Sequence, residues 1–447
     1  MTRLGTFSRK LFSAATLSAL VAGCDGGGGG GGGGGGNGPD ATPRPAQRRV
    51  LTITDAAGET VFNNPILDPR VIVRRGGDFV LFVPVGGDIF GTRETVVVRV
   101  TDGGEVKWAR LFRMPALAFV TDAVDDGEGV SFISGGDAVV YVVRLDDDGA
   151  VRSQHVFDVP GANPASALTP LNLAPLDGGG LLLGLGVGAA RLSADGAVQW
   201  ANDAGIQGVQ RLAVLPGGDF AFVGGLDVHL SRLSPAGEER FIGAGGIKGN
   251  FYHAGLVPTD DGGLFVVSGL DASDVHVSTV TTRVSADGTT GTLAGVRMSL
   301  DDNTDHETPL QFGAGARLQS GANGRVWASV MASSGGIGAM LRGPIVLAFD
   351  GGEPADAVMA ALAFTPVENE IVGFQREATG QDVLVRVPRP QEGGCAVEPY
   401  NLGSSPLSEA IWALQDGAAV SPIEVTPTDA AIEVEDVAAA LSGDQCQ

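Results

Sequence analysis

Short apolar runs alternate with glycine- and aspartate-rich turns from about residue 50 to about residue 390. Runs of this length, bounded by such turns, predict β-strands rather than helices. One frame recurs along them. Val98-Arg99-Val100-Thr101-Asp102-Gly103-Gly104-Glu105-Val106-Lys107-Trp108 aligns with Ala190-Arg191-Leu192-Ser193-Ala194-Asp195-Gly196-Ala197-Val198-Gln199-Trp200. The frame returns around Arg144 and Gly149, Arg232 and Gly237, and Arg283 and Gly288, with a weaker copy from Val346 to Gly351. Each copy predicts a strand, a tight turn and a second strand. Gly58, behind Leu51 to Thr54, predicts another such turn. The turn glycines 58, 104, 149, 196, 237, 288 and 351 lie 41 to 63 residues apart. A second motif interleaves, a Gly/Asp turn opening an apolar strand: Gly76 to Phe79, Asp126 to Val130, Asp177 to Leu181, Pro216 to Phe220 and Asp260 to Leu264. Fainter versions are Asn323 to Val326 and Glu368 to Ile371.

Two hairpins per period make four strands, which is the content of a β-propeller blade. The expected fold class is therefore all-β: a single β-propeller over residues 50–390, with seven four-stranded blades. Six or eight blades are the alternatives if the long interval from Gly288 to Gly351 hides a change of count. The strand type holding Arg99, Arg144, Arg191, Arg232 and Arg283 recurs near Val346 and at Arg386. Its last copy, Val383 to Val387, has no following partner, and Val50 to Phe62 has no full blade before it. The N-terminal segment is expected to complete the last blade and so remove exposed sheet edges. Aromatics stand four residues past the turn glycine at Phe62, Trp108, Trp200 and Phe241. These are expected to dock between blades. The pattern breaks at Pro388. Residues 391–447 are expected to form a small C-terminal extension that packs on the ring or binds a partner. Ser408 to Gln415 and Thr428 to Leu441 are candidate short helices, the second set between Pro427 and Gly443.

Upstream of the strands, Arg3, Arg9 and Lys10 precede an apolar segment from Leu11 to Ala22. That segment has the length of a signal-peptide core and is too short to span a bilayer. Leu20-Val21-Ala22-Gly23-Cys24 follows, and then unbroken glycine from Gly26 to Gly36. The junction resembles the lipobox of bacterial lipoproteins. The resemblance implies that residues 1–23 are a signal peptide and that Cys24 becomes the acylated N-terminus. The mature chain would then be anchored to a membrane of the cell envelope without crossing it, since several acyl chains hold where one is marginal. Residues 24–49 are expected to be a glycine-rich tether, roughly 25–30 Å end to end as a coil. The outer membrane or cell surface is the expected address. Asp25 resembles the inner-membrane retention signal of enteric bacteria and leaves that address open. The chain as a whole resembles bacterial secreted lipoproteins with β-propeller repeats. Asp195-Gly196-Ala197-Val198-Gln199-Trp200 also resembles the tryptophan-docking turn of quinoprotein-type propellers, which include an outer-membrane assembly lipoprotein.

Charge narrows the partners. With 29 basic and 52 acidic residues the net charge is −23, which repels nucleic acid and anionic headgroups. Cations, basic partners and simple solubility remain compatible, and a monomer is expected. Of three cysteines, Cys24 goes to lipid. Cys395 and Cys446 are left as an even pair for a disulfide in an oxidising compartment. Two free thiols or a metal pair are the alternatives, although no histidine follows His306.

Catalytic patterns are missing from the sequence. None of the five histidines stands in a His-Glu-x-x-His spacing, and there is no Gly-x-Ser-x-Gly elbow. Asp301, Asn303 and Asp305 resemble the opening of a calcium loop. However, His306 occupies the glycine position and Phe312 the closing glutamate position, so a solvated acidic loop is the expected reading and a calcium site the alternative. No cofactor is required, and calcium is the one candidate. Three functions are compatible: a non-enzymatic binding or scaffolding lipoprotein with an unknown protein or glycan partner, a quinoprotein-like or hydrolytic propeller enzyme, and an outer-membrane assembly factor. The first is the expected one.

Overall fold

The computed structural model describes residues 47–54, 70–74, 77–85, 94–114, 119–136, 138–162, 171–206, 208–225, 228–245, 250–271, 279–299, 310–311, 318–320, 326–333, 341–350, 353–359, 363–367, 370–376, 382–388, 401–406, 412–415, 419–428 and 432–442. Every regular element among them is a β-strand. The strands form seven antiparallel sheets. Blade one comprises Arg70–Val73, Phe79–Val85, Glu94–Val100 and Val106–Arg113, paired in chain order. Blades two to five repeat this order over 119–158, 172–202, 209–245 and 250–299. In blade six the first-strand position is shared by Leu310–Gln311 and Leu318–Ser320, which both pair with Val326–Ser333. The long interval between Gly288 and Gly351 therefore adds no blade.

The first strands of the seven blades adjoin one another in sequence, and the seventh returns to the first. They enclose the axis. The two chain regions meet in blade seven, where Gln47–Thr54 is the fourth strand beside Asp382–Pro388, with Arg49 opposite Leu384 and Leu51 opposite Asp382. That strand opens at Gln47, three residues inside the segment expected to be tether. The chain is a seven-bladed β-propeller.

Strands buried on both faces, such as Phe79–Val85, supply apolar side chains to two neighbours at once. The cores consequently lie between blades. Val80, Phe82, Val97 and Phe112 of blade one pack with Phe132, Tyr141 and Val143 of blade two. Ile133, Val140 and Val142 pack with Leu173, Leu181 and Leu183 of blade three. Phe132 meets Phe82 and Phe112 edge-on, at centroid distances of 5.5 and 5.4 Å, a favourable geometry for ring quadrupoles.

The C-terminal extension corrects the sequence reading. The described parts of both candidate helices are strands or extended chain. Asn401–Pro406 pairs with the outer strand of blade five, and Trp412–Leu414 with that of blade four. Pro422 bridges to Asn202 of blade three, and Thr426–Pro427 pairs with blade two. Glu433–Asp436 pairs with blade one, and Ala438–Ser442 with Gln47–Thr54 of blade seven. The extension is a belt that runs backward round the perimeter. Its apolar residues close the outer ends of the inter-blade cores: Trp412 at seam four–five, Val420 at three–four, Ile423 and Val425 at two–three, Ile432 at one–two, and Val437, Ala439 and Leu441 at seven–one. The physical reason is the propeller edge itself. An outer strand presents a row of unpaired N–H and C=O groups, and the belt satisfies them where a helix would not.

Candidate functional site

The turn between third and fourth strands places glycine at positive φ: 86° at Gly104, 77° at Gly149, 83° at Gly196, 80° at Gly237 and 75° at Gly288. Each turn lies under a side chain from the outer strand of the preceding blade. A Cβ on Gly149 would sit 2.7 Å from Trp108, one on Gly237 2.9 Å from Trp200, and one on Gly288 2.5 Å from Phe241. Trp108, Trp200 and Phe241 thus stand at seams one–two, three–four and four–five. The Trp108 indole N–H donates to the Asp147 carbonyl at 2.8 Å, and that of Trp200 to the Pro235 carbonyl at 3.1 Å.

The recurrent arginine takes part in the same seams. Arg99 donates to the Asp147 carbonyl at 2.5 Å and Arg191 to the Pro235 carbonyl at 2.6 Å, the two oxygens that also receive the indoles. Arg232 reaches the Ala286 carbonyl at 2.7 Å. Within its own blade, Arg99 pairs with Asp78 at 2.8 Å, and Lys107 joins the same carboxylate oxygen at 2.8 Å. Burial would raise the Asp78 pKa, but the hydrogen bonds from Lys107 and Arg99 outweigh it and hold the carboxyl below its ordinary value. The sequence frame marked these arginines without assigning a role. Their recurrence one strand ahead of the turn was the available signal.

Two docking residues escaped the four-residue spacing. Arg49 covers Gly104 at seam seven–one, and His155 covers Gly196 at seam two–three. His155 is held below the ordinary histidine pKa, first by burial and then by the positive charge of Arg144. Arg144 is 6% exposed and donates to the Gly179 carbonyl at 2.6 Å. The acidic turns around Asp125 and Asp147 engage nearby amides and arginines. Asp146 accepts the amides of Asp148 and Ala150, Arg74 pairs with Asp125 and Asp147, and Arg152 pairs with Asp126 and Glu128.

The second candidate region is the axis. The Asn172 amide donates to the Gln210 carbonyl at 2.7 Å, and Arg211 donates to that carbonyl at 2.8 Å. Gln210 reaches the Gly225 carbonyl at 3.2 Å. Asp122 accepts the Leu173 amide at 3.1 Å, and Arg70 reaches the Thr121 carbonyl at 3.3 Å. These first-strand residues stitch blades one to four together around the axis and place amide, guanidinium and carboxylate groups in one collar. No repeated motif marks them, because each blade contributes a different residue. Among the described residues no cluster of three or more His, Cys, Asp or Glu side chains is placed to hold a metal ion, and no helix is long and apolar enough to cross a membrane. Cys24, Phe62, Asp301, Asn303, Asp305, Cys395 and Cys446 lie outside the described residues.

No family model and no curated protein matches the chain. Similar solved structures exist. The Dos1 propeller is 11% identical, with 77% of this chain and 84% of that one covered and a TM-score of 0.47. A protein of unknown function from Bacteroides caccae is 15% identical, with 55% of this chain and 92% of that one covered and a TM-score of 0.36. The architecture rests on the strand pairing in this chain.

Proposed function

We propose that this protein is a bacterial envelope lipoprotein that displays its propeller as a non-catalytic binding or scaffolding module. The observation that supports this reading most is the route of the chain from Cys24 into the ring. The glycine-rich segment leads into Gln47–Thr54, a strand paired on one edge with Asp382–Pro388 and on the other with Ala438–Ser442. A strand hydrogen-bonded on both edges resists being pulled out, because several ladder bonds must break together. That arrangement suits a body held at a membrane by its first strand. A protein or glycan partner would meet the loops of the ring or the axial collar, and the acidic surface favours basic groups on that partner. The outer membrane or cell surface is the proposed location. The test is Cys24→Ser with cell fractionation. The variant should leave the membrane pellet and appear soluble, and retention in the pellet would refute the anchor. Crosslinking the native protein in intact cells should capture a saturable protein or glycan partner. Absence of any such product would remove the binding role.

A further inference from the structure

We propose that the seam between blades two and three holds a small inorganic anion of the chloride class, gripped by Arg144, Ser153 and His155. The repeat itself supplies the comparison. In blades one and four the recurrent arginine aims its Nε at a carboxylate of its own blade. Arg99 donates from Nε and Nη2 to Asp78 at 3.0 and 2.8 Å, and Arg232 donates from Nε to Asp219 at 2.9 Å. Asp78 and Asp219 each stand immediately before the second strand. In blade two that position is Gly129, and a Cβ there would lie 1.8 Å from the Leu145 carbonyl oxygen, so no acid fits. Arg144 is 6% exposed and donates from Nη1 to the Gly179 carbonyl, while its Nε and Nη2 have no partner among the described residues. Blade three shows the same loss at Gly180, but there Arg191 gains the Phe220 ring, 5.9 Å away. Two further groups join Arg144. It lies opposite Ser153, and Val142 lies opposite His155, so the three side chains share the face of blade two that is turned to blade three. Ser153 Oγ and His155 Nε2 are likewise buried without a partner among the described residues. Asp126 acts on Arg144 through its charge alone, because its oxygens are taken by Ser131, Arg152 and the Glu128 amide.

A buried guanidinium with two unmatched N–H groups is destabilising, and water would fill the hydrogen bonds without offsetting the charge. An anion does both. The Nε–Nη2 edge is the fork that grips an acceptor from two sides. The Ser153 hydroxyl is a third donor, and a neutral His155 with its proton on Nε2 is a fourth. All four atoms are shut off from solvent, which selects a small ion over a carboxylate-bearing chain. The site is independent of the envelope reading. The test is thermal unfolding of the full chain at constant ionic strength, with sodium chloride or sodium bromide replacing sodium gluconate. The Tm should rise saturably, by about 3 °C at roughly a hundredfold excess over the dissociation constant. Arg144→Met, which keeps the length and removes the charge, should abolish the rise. If that variant fails to fold, Ser153→Ala decides. It should move the half-saturating chloride concentration upward about tenfold, while Gln154→Ala, exposed on the opposite face, should leave it unchanged. Crystals grown in bromide should show an anomalous peak within hydrogen-bond distance of Arg144. No halide dependence, the same dependence in Arg144→Met, an unshifted Ser153→Ala, or a water in place of the bromide would overturn the site.

Discussion

At the residue scale, the turn glycines separate two effects that usually travel together. Gly149 and Gly178 have nearly the same φ, 77° and 78°. A Cβ on Gly149 would strike the Trp108 ring, whereas one on Gly178 meets nothing within 4 Å. Gly178→Ala should cost only the left-handed backbone penalty, about 1–2 kcal/mol. Gly149→Ala should cost about 1–3 kcal/mol more, because the indole has to move in a packed seam. Denaturant unfolding of the two variants measures the difference, and equal losses would show that the docking contact contributes nothing. His155 gives a second test at this scale. Its folded pKa is depressed, so below about pH 6.5, the ordinary histidine value, the unfolded chain takes up the proton first. Stability should fall as pH drops through this range. His155→Phe, which copies the Phe241 contact at Gly288, should flatten the change in melting temperature between pH 7.5 and pH 5.5. An unchanged slope would place that pH dependence elsewhere. The docking positions of Trp108, Trp200 and Phe241 were legible in the sequence because ring and glycine keep a fixed spacing. His155 and Arg49 were not, since docking requires only that a flat or extended side chain lie over a glycine in the next blade.

At the element scale, the hairpins were legible and the belt was not. A blade hairpin carries its own signals: a turn glycine, an Asp or Ser that caps the turn, and apolar strands on both sides. Ser285 illustrates the cap, with its hydroxyl donating to Asp287 and holding that carboxyl down to about 2. The belt strands carry no such signal. Ala438, Ala439 and Ala440 favour a helix by intrinsic propensity, and the segment has a proline before it and a glycine after it. The strand wins because Gln47–Thr54 offers an unpaired edge and seam seven–one offers a core. Val437, Ala439 and Leu441 enter that core while Ala438 and Ala440 stay exposed. Propensity differences of a few tenths of a kcal/mol per residue are small beside a ladder of backbone bonds plus buried apolar area. The period-two alternation from Val437 to Leu441 was visible in retrospect, but it is too short to decide against helix without its partner.

At the scale of the whole molecule, the ring is held closed by one shared blade. Removing Gln47–Thr54 would expose the edge of Asp382–Pro388 and also release Ala438–Ser442, the last strand of the belt. An unpaired edge of this kind recruits other chains. The deletion variant should therefore elute as dimers or larger species at concentrations where the intact chain stays monomeric. A monomeric, fully folded deletion product would show that the closing strand is dispensable. The acidic net charge of −23 opposes such association in the intact protein, so salt should increase the oligomeric fraction of the variant.

By itself the sequence determined the repeat and the four-strand content of a blade, and it pointed to seven blades with the last shared between the N-terminal strand and Asp382–Pro388, while the pairing in blade six decided the count against six or eight. These follow from local rules: turn glycines at positive φ, apolar runs of strand length, and a missing partner at each end of the pattern. Only the tertiary structure decided the belt, the arginine and histidine at the seams, and the polar collar of Asn172, Gln210 and Arg211. Each of these depends on which unpaired edge or carbonyl a neighbouring blade presents, and such a partner is set by the closed ring and by no stretch of local sequence.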